Sequence, residues 1–73
     1  MTKWEHASLY CYLDSKGKLR VHEVNQEPIS DQPSKGPLVE EVLAKFGEAG
    51  FEVAGTVSSG PNSVWIYLKR QVG

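Results

Sequence analysis

Hydrophobic and polar residues alternate through the first part of the chain, between residues 4 and 13. One side of an extended backbone there carries Ala7, Leu9, Cys11 and Leu13, and the other side carries His6, Ser8, Tyr10 and Tyr12. This period of two predicts a β-strand over residues 4–13. Asp14 and Gly17 then favour a turn, and a strand-like pattern resumes over residues 19–25, so a β-hairpin is expected.

The register of this hairpin follows from matching its apolar residues. Placing Leu13 opposite Leu19 also pairs Cys11 with Val21, Tyr12 with Arg20 and Tyr10 with His22. A slip of one residue would mix the apolar and polar faces. We therefore expect this register along the whole hairpin.

A helix is predicted in the middle of the chain. Residues 26–36 hold two prolines and several turn formers, which predicts a surface loop. Apolar residues then recur at helical spacing, at Leu38, Val39, Val42, Leu43 and Phe46. The helix is expected over residues 37–49, with Pro37 at its first position and Gly50 at its exit, and an end one turn earlier at Gly47 is the alternative.

Two more strands, over residues 51–57 and 64–70, are predicted to form a second hairpin around a turn at residues 58–63. Its expected pairs are Val57 with Val64, Thr56 with Trp65, Gly55 with Ile66, Ala54 with Tyr67, Val53 with Leu68 and Glu52 with Lys69. Each of these pairs is chemically compatible across two strands.

Four strands and a helix predict a single α+β domain over residues 1–73, of the form ββαββ. We expect a four-stranded antiparallel sheet with the helix packed on one face, over Leu9, Cys11, Leu13, Val21, Val53, Ile66 and Leu68. The strand orders 2-1-3-4 and 1-2-4-3 both make all neighbours antiparallel. We favour 2-1-3-4, because the strand over 19–25 is the most polar and best tolerates an edge. Under that order the apolar strand over 64–68 is an exposed edge.

Composition and length narrow the class of protein. The chain has 73 residues, 40% of them hydrophobic, and eight basic against nine acidic side chains give a net charge of −1, as in a small globular domain. A core of this size gives little stability alone, and one cysteine forms no internal disulfide, so a homo-oligomer is expected. No apolar run suits a signal peptide or a bilayer span, so we expect a cytoplasmic protein without a membrane partner.

Several short motifs resemble those of a small bacterial domain family of unknown function. They are Lys3-Trp4-Glu5 near the start, Leu43 to Gly47 with Gly50 and Phe51-Glu52-Val53 around the helix exit, and Tyr67 to Arg70 near the end. Members of that family begin Lys-Trp-Glu-Tyr, continue with Leu-Gly-x-x-Gly-Trp-Glu-Leu and close on a hydrophobic strand followed by Lys-Arg. Here His6, Phe51 and Val53 stand in place of the Tyr, the Trp and the Leu. The resemblance covers a little over half of the chain and implies a compact bacterial domain without an established activity.

No motif in the chain predicts catalysis, a metal ion or a cofactor. Gly17-Lys18 lacks both the Ser or Thr and the earlier glycine of a phosphate-binding loop. In the expected register His6 and His22 lie about 13 Å apart, too far for one metal ion, and Cys11 faces the core. We therefore expect that the protein is not an enzyme and binds no metal or cofactor.

The candidate site is the sheet face opposite the helix. It is expected to display Tyr10, Tyr12, Arg20, His22, Trp65 and Tyr67. Such a patch is too apolar to leave exposed, and its residue types are enriched in protein interfaces. We expect a second copy to cover this face or the apolar edge strand, with Arg20 resting on Tyr12 as a cation–π pair. Trp4 is expected in the core.

Three other partners are compatible with these surfaces. A planar ligand such as a flavin or a nucleotide fits between aromatic faces at a subunit interface. Single-stranded nucleic acid stacks on aromatic residues, and residues 1–22 and 53–73 carry a net +4 while residues 23–52 carry −5. The single helix and a pI near 6.1 count against nucleic acid. A larger protein can add a strand at the apolar edge.

Overall fold

The computed structural model of this protein describes residues 2–32 and 35–72. In chain order the elements are β1 (Trp4–Leu13), β2 (Leu19–Val24), β3 (Glu27–Pro28), α1 (Val39–Glu48), β4 (Glu52–Gly60) and β5 (Ser63–Gln71). The predicted α+β class is therefore confirmed. Pro33 and Ser34, which belong to the loop expected over 26–36, lie outside the described residues.

The described residues form a sheet of five antiparallel strands, so the expected number of four is wrong. The additional strand is β3, which pairs with the end of β2. Asn25 and Gln26 turn the chain back between them with positive φ angles of 54° and 70°. Asparagine adopts this conformation more readily than most residues, and its Oδ1 atom accepts a hydrogen bond from the backbone N–H of Ser8 at 3.0 Å.

The strand order is β3-β2-β1-β5-β4, so the expected order 2-1-3-4 is wrong. The apolar strand over 64–68 lies in β5, beside β1 and inside the sheet, and is not an edge. The polarity of the strands explains this order. Ile66 and Leu68 of β5 are buried, whereas β4 consists largely of Gly, Ser and Thr and is exposed throughout, which suits an edge.

The first hairpin has its predicted register only near the turn. Leu13 pairs with Leu19, Tyr12 with Arg20 and Cys11 with Val21. The register then shifts by one residue at His22, so that Tyr10 lies opposite Glu23. The expected pair of Tyr10 with His22 is therefore wrong, because a bulge places one extra residue in β2.

The second hairpin departs from its predicted register at two irregularities. Glu52 pairs with Lys69 and Val53 with Leu68, as predicted. The register shifts at Ala54, and from there Gly55 lies opposite Tyr67, Thr56 opposite Ile66, Val57 opposite Trp65 and Ser58 opposite Val64. A second shift falls at Ser59, before Gly60, whose φ is +151°. An isolated glycine in a strand pattern, here Gly55 in the strand predicted over 51–57, is a known signal of such a bulge.

The core lies between the sheet and α1. Its buried residues are Ala7, Leu9, Cys11, Val21, Val39, Ile66 and Leu68, and Val42, Leu43 and Phe46 of α1 pack against them. Leu13 and Val53, which were expected in this core, are 42% and 53% exposed. A helix of ten residues is only about 15 Å long, so α1 leaves the end of β1 and the edge strand uncovered.

The ends of α1 differ in how well the sequence predicts them. The helix begins at Val39 and not at Pro37, because residues 37 and 38 run extended beside β2. Its last residue is Glu48, one residue before the predicted end, and Gly50 follows at the helix exit, as predicted, with a φ of +92°. The N–H of Phe51 donates to the carbonyl of Phe46 at 3.0 Å, and their rings lie 5.2 Å apart, as in a Schellman motif. Within residues 2–32 and 35–72, no helix has the length and apolarity needed to cross a membrane.

The outer edge of β2 is covered by two other parts of the chain. β3 pairs with its end, and residues 36–38 run along its beginning. The N–H of Val21 donates to the carbonyl of Pro37 at 2.8 Å, and the N–H of Ile29 donates to the carbonyl of His22 at 2.8 Å. One edge of the sheet is therefore closed, and the other edge is β4.

Asp14 organises the turn between β1 and β2. Its Oδ1 atom accepts hydrogen bonds from the N–H groups of Lys16 and Lys18, both at 2.9 Å, and its Oδ2 atom accepts one from Nε of Arg20 at 2.8 Å. The bonds from Lys18 and Arg20, followed by the bond from Lys16, lower the pKa of Asp14 from 3.8 to about 2. The charged carboxylate therefore stabilises the folded state.

We expect this contribution to stability to disappear as the pH falls from about 4 to about 2. The pKa of Asp14 is lower in the folded chain than in the unfolded chain, so the contribution is complete above about pH 4 and is lost on acidification. Asp14→Asn should be less stable than the wild type at pH 6, and the difference should shrink towards pH 2. Urea unfolding of both proteins across this range measures it, and a constant difference would contradict the prediction.

Candidate interaction surface

Five side-chain rings touch in a continuous row on the sheet face opposite α1, which we call the open face. We call this row the aromatic ladder, and it consists of His22, Tyr12, Tyr10, Trp65 and Tyr67. Neighbouring ring centroids lie 6.0, 5.0, 4.4 and 6.3 Å apart in that order. These separations fall in the range of favourable aromatic pairs. The structure thus brings together five of the six residues of the candidate site.

The central strands β1 and β5 position the aromatic ladder. Because they are neighbours, Tyr10 lies directly opposite Trp65. Alternation along each strand turns Tyr12 and Tyr67 to the same face, while Leu9 and Ile66 turn to the core. The expected strand order would have put another strand between these rings, so the correct order is what brings them into contact.

The hydroxyl groups of the ladder have partners within the chain. The hydroxyl of Tyr10 donates to that of Tyr12 at 3.2 Å and also lies 3.2 Å from Oγ of Ser59. Hydrogen bonds with Ser59, Ser63 and Tyr12 lower the pKa of Tyr10, whereas the bond with Tyr10, followed by burial, raises the pKa of Tyr12. Covering this face would therefore not leave either hydroxyl without a hydrogen bond.

Ser59 is a member of this surface that the sequence pattern does not reveal. It lies at the second irregularity of β4, where the register shifts, and its hydroxyl reaches Tyr10 across β5. In the regular pairing expected for the second hairpin, Ser59 belongs to the turn. Gly60 beside it precedes Pro61, and this dipeptide is typical of a turn, so no sequence signal marks the bulge at Ser59.

Arg20 does not rest on Tyr12, so the expected cation–π pair is wrong. Its Nε atom donates to the carboxylate of Asp14 at 2.8 Å, and its Nη1 atom donates to the carbonyl of Gly36 at 3.0 Å. A turn and a loop therefore hold the guanidinium at the end of the aromatic ladder. Neither partner belongs to a strand, so the alternation of the strands could not predict them.

Trp4 lies on the open face and is 45% exposed, so its expected place in the core is wrong. The ammonium group of Lys69 lies 4.6 Å from the centre of its ring, a cation–π distance. The same ammonium group lies 3.7 Å from the carboxylate of Glu52. These three residues form a partly charged border beyond the Tyr67 end of the aromatic ladder.

His22 and Cys11 are candidates for metal binding or nucleophilic chemistry, but each has a structural role in the fold. Among residues 2–32 and 35–72 no three His, Cys, Asp or Glu side chains are grouped to hold a metal ion. Nδ1 of His22 lies 3.2 Å from the hydroxyl of Ser30. Cys11 is fully buried, and burial raises the pKa of its thiol to about 11. The thiol is therefore protonated at neutral pH and a poor nucleophile.

Two concavities of the described chain lie away from the aromatic ladder. One of 360 Å³ lies between the ends of the two hairpins and is lined by Leu13, Leu19, Val64 and residues of the second turn. The other, of 290 Å³, lies at the end of α1 beside Phe46, Phe51 and Arg70. The ladder lines neither of them. It is part of an open sheet surface, a shape that suits a flat partner better than an enclosed small ligand.

Comparisons of the chain with protein-family models, with curated proteins and with solved structures give no match. The resemblance to the small bacterial family stays a prediction. The function proposed below therefore rests on the geometry of the open face.

Proposed function

We propose that this protein is a non-catalytic binding module that associates with a second copy of itself through the aromatic ladder. The observation that carries the proposal is the continuous contact of five rings on the face that α1 leaves uncovered. Tyr67, at one end of the row, is 42% exposed. A contiguous aromatic surface of this kind is typical of an interaction site.

The arrangement of side chains on the open face supports this proposal. Its centre is aromatic, and both ends carry ion pairs, Arg20 with Asp14 at one end and Lys69 with Glu52 at the other. Interfaces commonly have an apolar or aromatic centre that excludes water and a polar rim. The rim pairs contain both signs of charge, so two copies need not repel each other.

The open face is also large enough for a specific contact. Ten residues of β1 at ~3.3 Å each and five strands at ~4.8 Å spacing give a face on the order of 600 Å². A specific protein interface buries at least about 1,000 Å² in total, or about 500 Å² on each partner, so a face of this size is sufficient. Because the described core holds only seven buried residues, covering the aromatic ladder would add substantially to the apolar area removed from water.

We place the module in the cytoplasm. Its one cysteine, Cys11, is free and buried, which suits a reducing compartment where thiols stay unpaired. The proposed contact involves no metal or cofactor. The module is thus expected to act by binding alone.

Tyr67→Lys is expected to weaken self-association by at least about 30-fold. A charged side chain would replace a ring of the ladder, and aromatic residues at the centre of an interface commonly contribute about 2 kcal/mol or more. Leu13→Lys is the matched control, because Leu13 has the same exposed fraction of 42% but lies on the other face of the sheet. The Leu13→Lys variant should self-associate as strongly as the wild type.

Sedimentation equilibrium over a wide concentration range, together with native mass spectrometry, measures these outcomes. Circular dichroism establishes that each variant is folded. A wild-type chain that remains a bare monomer at all concentrations would overturn the proposal, as would equal weakening by both substitutions. A monomer carrying added mass would also overturn it and would indicate a ligand, such as a planar molecule, on the aromatic ladder.

A further inference from the structure

We infer that the outer edge of β4 pairs with β4 of a second copy and joins the two sheets into one. The two strands run antiparallel, in a register that sets Val57 opposite Val57 of the second copy. This surface is the edge of the sheet and not the open face, so the inference does not rest on the function proposed above.

β4 is an accessible edge. It is the last strand in the order β3-β2-β1-β5-β4, and all nine of its residues are exposed. Its inner side pairs with β5, and within residues 2–32 and 35–72 no strand pairs with its outer side. An edge strand of this length presents a row of backbone N–H and C=O groups that can extend a sheet.

The side chains of β4 lack the features that commonly protect an edge. Proteins protect edge strands with lysine, with proline, with inward-pointing charges, with bulges or by covering them, and of these features β4 has only its two bulges, at Ala54 and Ser59. Between Val53 and Gly60 there is no charged residue and no proline. At the opposite edge, Pro28 and Pro37 belong to the two segments that cover β2. The edge at β2 is thus covered by other segments of the described chain, whereas the edge at β4 is available for pairing.

The bulges of β4 limit the part that can pair regularly. The register with β5 shifts at Ala54 and again at Ser59, which leaves residues 55–58 regular between them. In a twofold arrangement centred on Val57, that residue faces its own copy and Thr56 faces Ser58. All three central pairs therefore fall within the regular part of the strand.

The chemistry of these pairs favours a second copy of the same chain. Val57 is 54% exposed and lies on the open face opposite Trp65, so pairing it with itself covers an exposed valine. Thr56 and Ser58 lie on the other face and form a compatible polar pair. Glu52, the one charged residue of β4, lies five residues from the centre, so its two copies are ten residues apart along the paired strands, or about 33 Å, and do not repel each other.

The symmetry of the pairing also keeps corresponding faces together. An antiparallel contact between identical edges has its twofold axis perpendicular to the sheet. Both open faces then lie on one side of the joined sheet and both α1 helices on the other. The two aromatic ladders would lie on one continuous surface, with the Val57 pair between them.

A cysteine at position 57 tests this register directly. In the proposed pairing the two copies of Val57→Cys lie directly opposite each other, within the Cα distance of about 4.4–6.8 Å that a disulfide needs. The native Cys11 is buried and does not compete. We expect mild oxidation to convert most of this variant to a covalent dimer, read by mass spectrometry and by electrophoresis without reductant.

Val53→Cys is the matched control. Val53 lies in the same strand and is 53% exposed, almost the same fraction as Val57. In the proposed register its two copies are eight residues apart along paired strands, or about 26 Å, which is too far for a disulfide. Cross-linking should therefore be at least tenfold slower than at position 57. Equal rates at both positions, or no cross-link at position 57, would overturn the inference.

The double variant Val57→Cys with Tyr67→Lys distinguishes association through the β4 edge from association through the open face. If the edges pair, the cross-link forms at an unchanged rate although the aromatic ladder is disrupted. If the cross-link is lost in the double variant, the copies meet through the ladder, and the inference about β4 is wrong while the proposed function stands. If the cross-link is retained and Tyr67→Lys does not weaken self-association, the inference about β4 stands and the proposed function is wrong.

Discussion

Replacing Gly36 with alanine is expected to lower the free energy of unfolding by about 3 kcal/mol or more. A Cβ atom at this position would overlap the carbonyl oxygen of Val21 and lie 2.9 Å from the carbonyl carbon. Both are backbone atoms of a central hairpin, so they have little freedom to move aside. The carbonyl of Gly36 also accepts a hydrogen bond from Arg20, which fixes the loop from the other side.

Gly47→Ala makes the matched control for this substitution and should have the opposite sign. Gly47 lies within α1, and a Cβ atom there would meet nothing within 4 Å. Alanine is favoured over glycine in a helix by about 0.5–1 kcal/mol, so this variant should be more stable than the wild type. Chemical denaturation of both variants gives the two free energies. A small effect of Gly36→Ala would show that the loop can move away from β2.

Leu9→Ala is expected to lower the free energy of unfolding by about 2–5 kcal/mol. The side chain of Leu9 is fully buried between the sheet and α1, and its removal leaves a cavity in a core of only seven described buried residues. Small domains have free energies of unfolding near the lower end of ~5–15 kcal/mol. A considerable fraction of this variant should therefore be unfolded at 25 °C.

Leu13→Ala controls for the chemical change, because it makes the same substitution in the same strand. Leu13 is 42% exposed, so we expect a loss of less than about 1 kcal/mol. Thermal and urea unfolding of the two variants compare the positions. Equal losses would mean that the end of β1 is as tightly packed as its centre, contrary to the structure.

The local elements of this fold are encoded in patterns that can be recognised in the sequence. Alternation in 4–13 and the apolar spacing that ends at Gly50 each depend on residues close in the chain, and they correspond to β1 and α1. Strand order depends on a comparison between distant strands. Both β2 and β4 are polar enough for an edge, and the sequence pattern alone does not show that β4 occupies one.

The candidate surface was predictable to the extent that it follows from alternation. Tyr10, Tyr12, Trp65 and Tyr67 lie on one face because they occupy alternate positions of two strands. The hydrogen-bond partners that turns and bulges contribute could not be predicted in this way. Asp14 and Gly36 hold Arg20, and Ser59 reaches Tyr10, through departures from regular pairing that the period of two does not describe.

The strands nearest the two ends of the described chain form the central pair of the sheet. Trp4 lies opposite Gln71, and the N–H of Val72 donates to the carbonyl of Lys3 at 2.9 Å. During synthesis each hairpin can form as soon as its residues leave the ribosome. The full pairing of β1 with β5 can form only after residue 71 has emerged. The same proximity allows a circular permutation. A short linker can join residues 3 and 72, and new ends can be opened in the exposed turn at 15–17, so that the backbone is reordered while every strand keeps its neighbours.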